Sequence, residues 1–256
     1  HKTVMYISLE PCFKKGGCCA KAIVKAGIKK VFISSLDPNP NIKGKGIDFL
    51  KKQKIKVFHS LKSTDRFKII NKFFYTRKTL NRPFITLKIA ISKNGFSKSP
   101  THKNITSHQT QYFMHSLRLS HDAIGVGMNT VLDDKPKLTC RLQGVSKNIA
   151  KLIFSNKEIK FKNYKLIIVD YKKTVTKNFS LFKKLKTQSI LIEGGLNTFK
   201  YFLNCNLFDE VIVCQSNMTI KNTSKKYFLS MKSITNNLIL KSSLKYGEDM
   251  IYKFTN

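Results

Sequence analysis

Apolar positions recur along this chain in two rhythms, and the switches between them lay out its elements. Residues 3–9 (TVMYISL) alternate and read as a strand with almost no lead-in. Residues 18–27 read as a helix with a glycine stop. A strand at 30–35, a turn at DPNP, a helix near 47–52 after Gly44-Lys-Gly46, and a strand at 55–58 follow. This βαβαβ alternation predicts a parallel sheet. Residues 61–78, with Phe67, Ile69, Ile70, Phe73 and Phe74, are expected to form one amphipathic helix. Pro83 and its predecessor disfavour helix, so a domain boundary is expected near residue 80, giving domains 1–80 and 81–256.

Beyond that boundary, residues 84–91 (FITLKIAI) alternate as a strand, with Lys88 and Ala90 on the face opposite Leu87 and Ile89. Ser92-Lys-Asn-Gly95 is a turn, and Ser107 is a natural N-cap for a helix running to Leu119. Residues 122–127 (DAIGVG) read as a buried strand ending in a tight turn, followed by a polar loop with Thr130, Asp133, Asp134 and Arg141. Open α/β sheets place ligands beyond such strand ends, although an ordinary strand and polar loop would read the same way. Strands are expected at 151–154, 165–169, 189–193, 209–213, 237–240 and 250–254. The strand at 189–193 runs into Gly194-Gly195 and a helix at 196–203, a generic phosphate cradle that many α/β turns share merely for the bend.

Composition narrows the class. The 256 residues suffice for one large domain or two modest ones, and 41% hydrophobic residues supply a sizeable core. No apolar run approaches the ~18 residues of a membrane helix. Residues 5–9 are too short for a signal peptide. Forty-eight Lys plus Arg against 14 Asp plus Glu give +34. That excess is one mark of a nucleic-acid binder, but the lysines are scattered, with no long basic tail, and lysine as the default surface residue explains them more simply. Either way the field favours an anionic small substrate. Three of the six cysteines fall within eight residues, which favours a reduced cytoplasmic protein over a disulfide framework. His102, His108, His115 and His121 have no metal-like partners in spacing and are expected on the surface or in packing.

Pro11-Cys12 at a strand end with a cysteine opening the next helix is how zinc deaminases hold their metal; buried cysteines used as small apolar residues would explain the pair equally. The motifs LEPC, AGIKKVF, DPNP and GKGIDFL resemble the deaminase domain of the bifunctional riboflavin-biosynthesis deaminase/reductase family. The resemblance implies zinc on Cys12 and Cys19. The family's histidine and glutamate are missing upstream of LEPC, and its substrate loop is replaced by FKKGG. An N-terminally truncated, inactive deaminase half is therefore expected.

The stretch RPFITLKIAISKNG resembles the opening of the family's reductase domain, with Asn94 for its aspartate; Asn104 stands for a common aromatic, and ITS at 105–107 matches. The resemblance implies a truncated cytidine-deaminase-like α/β/α domain followed by a dihydrofolate-reductase-like α/β domain. NADPH would meet Ala90, Thr130, Asp134, Gly195, Leu196, Asn197 and Thr198. The phosphoribosylaminopyrimidine substrate would meet Arg118, Leu138, Arg141 and Glu193, with Lys88 and Glu193 at the reacting end. The implied reaction is hydride transfer to the ribose C1 of 5-amino-6-(5-phosphoribosylamino)uracil. A homo-oligomer is also implied, with no specific nucleic acid and no membrane. A catalytically silent zinc-binding paralogue and a basic nucleic-acid module are the other classes considered.

Overall fold

The computed structural model describes residues 3–13, 18–145, 147–158, 162–169, 180–221 and 223–256. The chain divides into two compact units, His1–Arg82 and Pro83–Asn256. The dividing point is a place where helix cannot continue: Asn81 turns left-handed (φ 50) and Pro83 follows.

The first unit runs β1 (Val4–Leu9), α1 (Cys19–Lys25), β2 (Lys30–Ser35), α2 (Lys45–Lys52), β3 (Lys56–His59), α3 (Leu61–Ile70) and α4 (Lys72–Leu80). Its three strands are parallel in the order β1-β2-β3. Val31 and Ile33 pack with Ala20 and Ile23 of α1 and Ile47 and Leu50 of α2. The buried Glu10 carboxylate organises the loop before α2. It accepts the main-chain N–H groups of Asp37 (3.2 Å), Gly44 (2.9 Å), Gly46 (3.0 Å) and Ile47 (3.4 Å). A side chain at Gly46 would overlap the Pro11 carbonyl, so only glycine lets α2 approach so closely.

The single helix expected over residues 61–78 is two. Asn71 leaves helical geometry (φ −108, ψ 35); its main-chain N–H and its side-chain amide both donate to the Phe67 carbonyl, at 2.8 and 3.2 Å. Phe67 and Phe74 then meet edge to face across the break, while Ile69 and Ile70 are exposed.

The second unit runs β4 (Phe84–Ile91), α5 (His108–Ser120), β5 (Ala123–Gly127), α6 (Met128–Asp134), β6 (Ala150–Ser155), β7 (Lys165–Ile168), α7 (Ser180–Lys183), β8 (Ser189–Glu193), α8 (Leu196–Asn204), β9 (Glu210–Gln215), α9 (Met231–Thr235), β10 (Ile239–Tyr246) and β11 (Asp249–Thr255). They form one sheet in the order β10-β11-β9-β4-β8-β5-β6-β7. The pairs from β9 through β7 are parallel; β11 is antiparallel to β9 and β10. The central β4 has both faces covered, as parallel strands require. Ile85, Leu87, Ile89 and Ile91 join Phe199 and Phe202 of α8 in one core. Thr86, Lys88 and Ala90 face the other way, where Thr86 bonds His121 at 3.0 Å and Ala90 packs with Phe113, Met114 and Leu117 of α5.

Two expectations change here. The polar loop foreseen after β5 begins as α6, because Met128 and Val131, three apart, bury against Ile124, Val126 and Ile153. Of the strand foreseen at 237–240 only Ile239 and Leu240 are in β10, which extends to Tyr246 and turns at Gly247 (φ 64); Asn237 is in a left-handed turn (φ 65). Gly125 has no room for a side chain, since a Cβ there would strike the buried Phe154 ring. Gly125→Ala is therefore expected to cost about 1–3 kcal/mol of stability, measured by chemical denaturation.

Candidate active site

At the carboxyl ends of β4 and β8, Lys88 and Glu193 are register partners on adjacent parallel strands, and both are buried. Arg118 reaches them from α5. Its Nε donates to Glu193 Oε1 at 3.0 Å and its Nη2 to Oε2 at 2.6 Å, a two-point grip, while Nη1 donates to the Thr139 carbonyl at 3.1 Å. Burial alone would push the Glu193 carboxyl up. Lys88, then Arg118 and His115, outweigh it and hold the group below its ordinary value of 4.5. Burial likewise opposes the Arg118 charge, and Glu193 more than restores it. Beside Ala90 in the ladder, burial pushes the Cys214 thiol up to about 11, so it is neutral.

The segment following α6 closes over this cluster. Leu138 is left-handed (φ 48), a costly conformation for a bulky residue, and its side chain is 3% exposed among Ile124, Val126 and Ile149. Leu138, expected to meet the substrate, thus keeps its side chain in that core. Arg141 is exposed, and its main-chain N–H donates to His115 Nδ1 at 3.3 Å. His115 thus packs beside the Arg118–Glu193 cluster, in contact with the turn that carries Arg141. The clue was its spacing of three from Arg118, one helical turn. His121 is in packing as expected, and His102 and His108 are exposed.

A groove of about 970 Å³ opens beside the cluster, lined by Thr130, Asp134, Gly195, Leu196, Asn197 and Thr198 among others. Gly194 (φ 72) and Gly195 (φ 70) form a turn into the nine-residue α8. A Cβ at Gly195 would come within 2.7 Å of Thr130 Oγ1, so the glycine lets α6 and this turn stand together. Glu193 lies two residues before Gly195, which makes the groove and the charged cluster neighbours. Sequence reading missed Lys98 and Tyr227, which also line the groove. Lys98 Nζ lies 3.6 Å from Asp134 and 5.6 Å above the Tyr227 ring. Ala90 does not line the groove; it packs under α5.

In the first unit, Cys19 and Cys12 are in side-chain hydrogen-bond contact; that contact first, then the Cys12 charge and burial, raise the Cys19 thiol. Cys18 instead caps α1 and donates to the Cys12 carbonyl at 3.2 Å. Among the described residues, no three His, Cys, Asp or Glu side chains are grouped to hold a metal. No helix among the described residues is long and apolar enough to cross a membrane.

A largely parallel sheet with a glycine turn, a helix N-terminus and a Lys–Glu–Arg cluster beside a groove has the architecture of an α/β enzyme. Residues 83–252 match the RibD C-terminal domain, and the chain belongs to that family. It is 29% identical to riboflavin biosynthesis protein RibD of Aquifex aeolicus, over 98% of this chain and 80% of that protein. It is 30% identical to the RibD of Buchnera aphidicola, over 87% of this chain and 72% of that one. The solved structure of the Thermotoga maritima diaminohydroxyphosphoribosylaminopyrimidine deaminase/5-amino-6-(5-phosphoribosylamino)uracil reductase matches at a TM-score of 0.81 and 26% identity, over 98% of this chain and 78% of that chain.

Replacing Arg118 by methionine would leave Glu193 buried with one counter-charge fewer. An expected loss of about 3–5 kcal/mol follows, read by denaturation at pH 7. Because the folded Glu193 value is depressed, its contribution is present above the unfolded value of 4.5 and is lost as pH falls through the folded one; Arg118→Met should flatten that acid limb.

Proposed function

We propose that this chain reduces the ribose of 5-amino-6-(5-phosphoribosylamino)uracil with NADPH, yielding the ribitylamino product in riboflavin biosynthesis. The observation that carries the reading is the contact of Thr130 with the Gly194–Gly195 turn, beside the Glu193 cluster. It brings a groove fit for a dinucleotide next to a buried set of charges fit for a sugar phosphate.

The groove residues suit the cofactor. Main-chain N–H groups from Gly195 to Thr198 open at the N-terminus of α8, a natural seat for a pyrophosphate, and Thr130 and Asp134 flank it. NADPH, when bound, supplies the hydride. Lys88 is the proton-bearing group at the strand end and is positioned to protonate the sugar oxygen released as C1 is reduced. Lys88 and Arg118 keep Glu193 ionised beside them. Arg141, exposed beside them, can take the substrate phosphate by two parallel hydrogen bonds.

The first unit resembles a zinc-dependent deaminase, but deamination lies outside the proposal, because its described residues offer two thiols and no third ligand. A polypeptide of these residues supplied with zinc is expected to release no ammonia from the aminopyrimidine substrate; release would overturn that reading. A homo-oligomeric, cytoplasmic protein completes the proposal. The exposed Ile239, Leu240 and Leu244 on the edge strand β10 support self-association.

Arg141→Ala should raise the KM for the phosphoribosyl substrate by about tenfold or more, the worth of one charge-assisted contact, and leave the NADPH Kd nearly unchanged. Equal loss for both ligands in titrations would undo the assignment. Gly195→Val should abolish NADPH binding, because φ 70 and Thr130 both exclude a branched side chain.

A further inference from the structure

We propose that His115 positions the substrate-facing turn at residues 138–141, holding Arg141 in place through its neutral ring. The inference deepens the reductase reading and rests on it for the identity of the substrate.

Several bonds tie this turn to α5, among them one from the His115 ring to the Thr139 carbonyl and the three that follow. Arg118 Nη1 donates to the Thr139 carbonyl at 3.1 Å. Cys140 Sγ donates to the His115 carbonyl at 3.6 Å. The Arg141 N–H donates to His115 Nδ1 at 3.3 Å. The second survives any side-chain change at position 115, and the first belongs to an arginine already gripped by Glu193. The third is the bond that fixes the main chain of Arg141 itself. The turn needs holding, because Leu138 is in the left-handed region, a conformation that a non-glycine residue keeps only where its surroundings impose it.

The bond to Arg141 also selects the charge of the ring. A ring nitrogen that accepts a hydrogen bond cannot carry a proton, so the imidazolium would meet the Arg141 N–H donor to donor. The charged and polar groups against the ring act in both directions. Burial first, then Arg118 on its own helix and Arg141 on the turn, disfavour the cation; Glu193 on β8 and the Thr139 carbonyl favour it. The balance lowers the His115 value below 6.5. With a depressed folded value, the unfolded chain takes the proton first, so this residue's contribution is intact above about pH 6.5 and is lost as pH falls through the folded value. Glu193 remains ionised throughout that window, being held below 4.5.

The test compares His115→Leu with His115→Asn, whose amide oxygen stands near the position of Nδ1. In steady-state kinetics His115→Leu should raise the KM for the phosphoribosyl substrate by about tenfold, with the NADPH KM within about twofold, and His115→Asn should recover most of the loss. Between about pH 5 and 7 the wild type should lose affinity for that substrate with acid more steeply than His115→Asn, which has nothing to protonate. The substrate phosphate titrates identically for both and cancels in the ratio. A second readout needs no turnover: amide exchange at Arg141 should be protected in the wild type near neutral pH, faster by about tenfold or more at low pH after correction for intrinsic exchange, and independent of pH in His115→Asn. A His115→Leu enzyme with unchanged substrate KM and an Arg141 amide whose protection ignores pH would overturn the proposal. A wild type that never turns over but shows the pH-linked exchange would sink the reductase reading and leave the positioning role standing.

Discussion

The second unit is arranged about one electrostatic fact: a carboxylate, Glu193, is kept ionised where burial would neutralise it. A buried charge is tolerated when its partners are fixed and its lone pairs are filled. Lys88 meets that demand from the next strand and Arg118 from the helix above, with both oxygens of Glu193 accepting bonds. The same arrangement makes the site. The strand ladder sets Lys88 directly opposite Glu193. The cluster therefore ties the stability of the centre of the sheet to its chemistry.

The sheet supplies that precision through its alternation. On β4 the odd positions from Ile85 to Ile91 anchor the α8 core, so register cannot slip without burying Lys88 among phenylalanines. The opposite face is left for Thr86, Lys88 and Ala90 under α5. Glu193 sits at the last residue of β8, and the chain passes at once into the Gly194–Gly195 turn. Strand end, glycine turn and helix start thus follow one another without a break, with the charged cluster on one side and the nucleotide groove on the other.

Much of this was legible in the sequence, for physical reasons that differ by element. The long strands could be read because their apolar alternation is set by the two-residue period, and Ser107 because a hydroxyl before a helix has one evident use. Glu193, Gly195 and Thr130 were legible as a set because their motifs occur in the order of a known family, and the structure brings Thr130 against the glycine turn. What stayed hidden was decided by tertiary contact. The break at Asn71 coincides with a side chain adding a second bond to the Phe67 carbonyl, and nothing in the apolar pattern marks it. The start of α6 depends on Met128 and Val131 finding a core that distant strands create. His115 looked like any helical histidine until a turn 25 residues later folded over it. Lys98 lies in a loop that departs from the family pattern, so its bridge to Asp134 had no precedent to point to it.

The departures from that pattern can be weighed by the bonds they make. Asn94 stands where the family has aspartate, which looks like the loss of a useful charge. Yet its Nδ2 donates to the Ile220 carbonyl at 2.8 Å while its Oδ1 accepts from the Ile220 N–H at 3.1 Å and from Ser92 Oγ at 2.8 Å. A carboxylate could make the two accepting bonds but not the donating one, and it would set a negative charge against a carbonyl oxygen. The amide therefore splices the turn after β4 to the segment after β9 more completely than an acid could. The turn at residues 92–95 also holds Leu229 through the Gly95 carbonyl, so this splice fixes the base of the loop that carries Lys98 toward the groove. A substitution that reads as lost chemistry in the sequence is, in the folded chain, a choice of hydrogen-bond polarity that keeps the groove's rim in place.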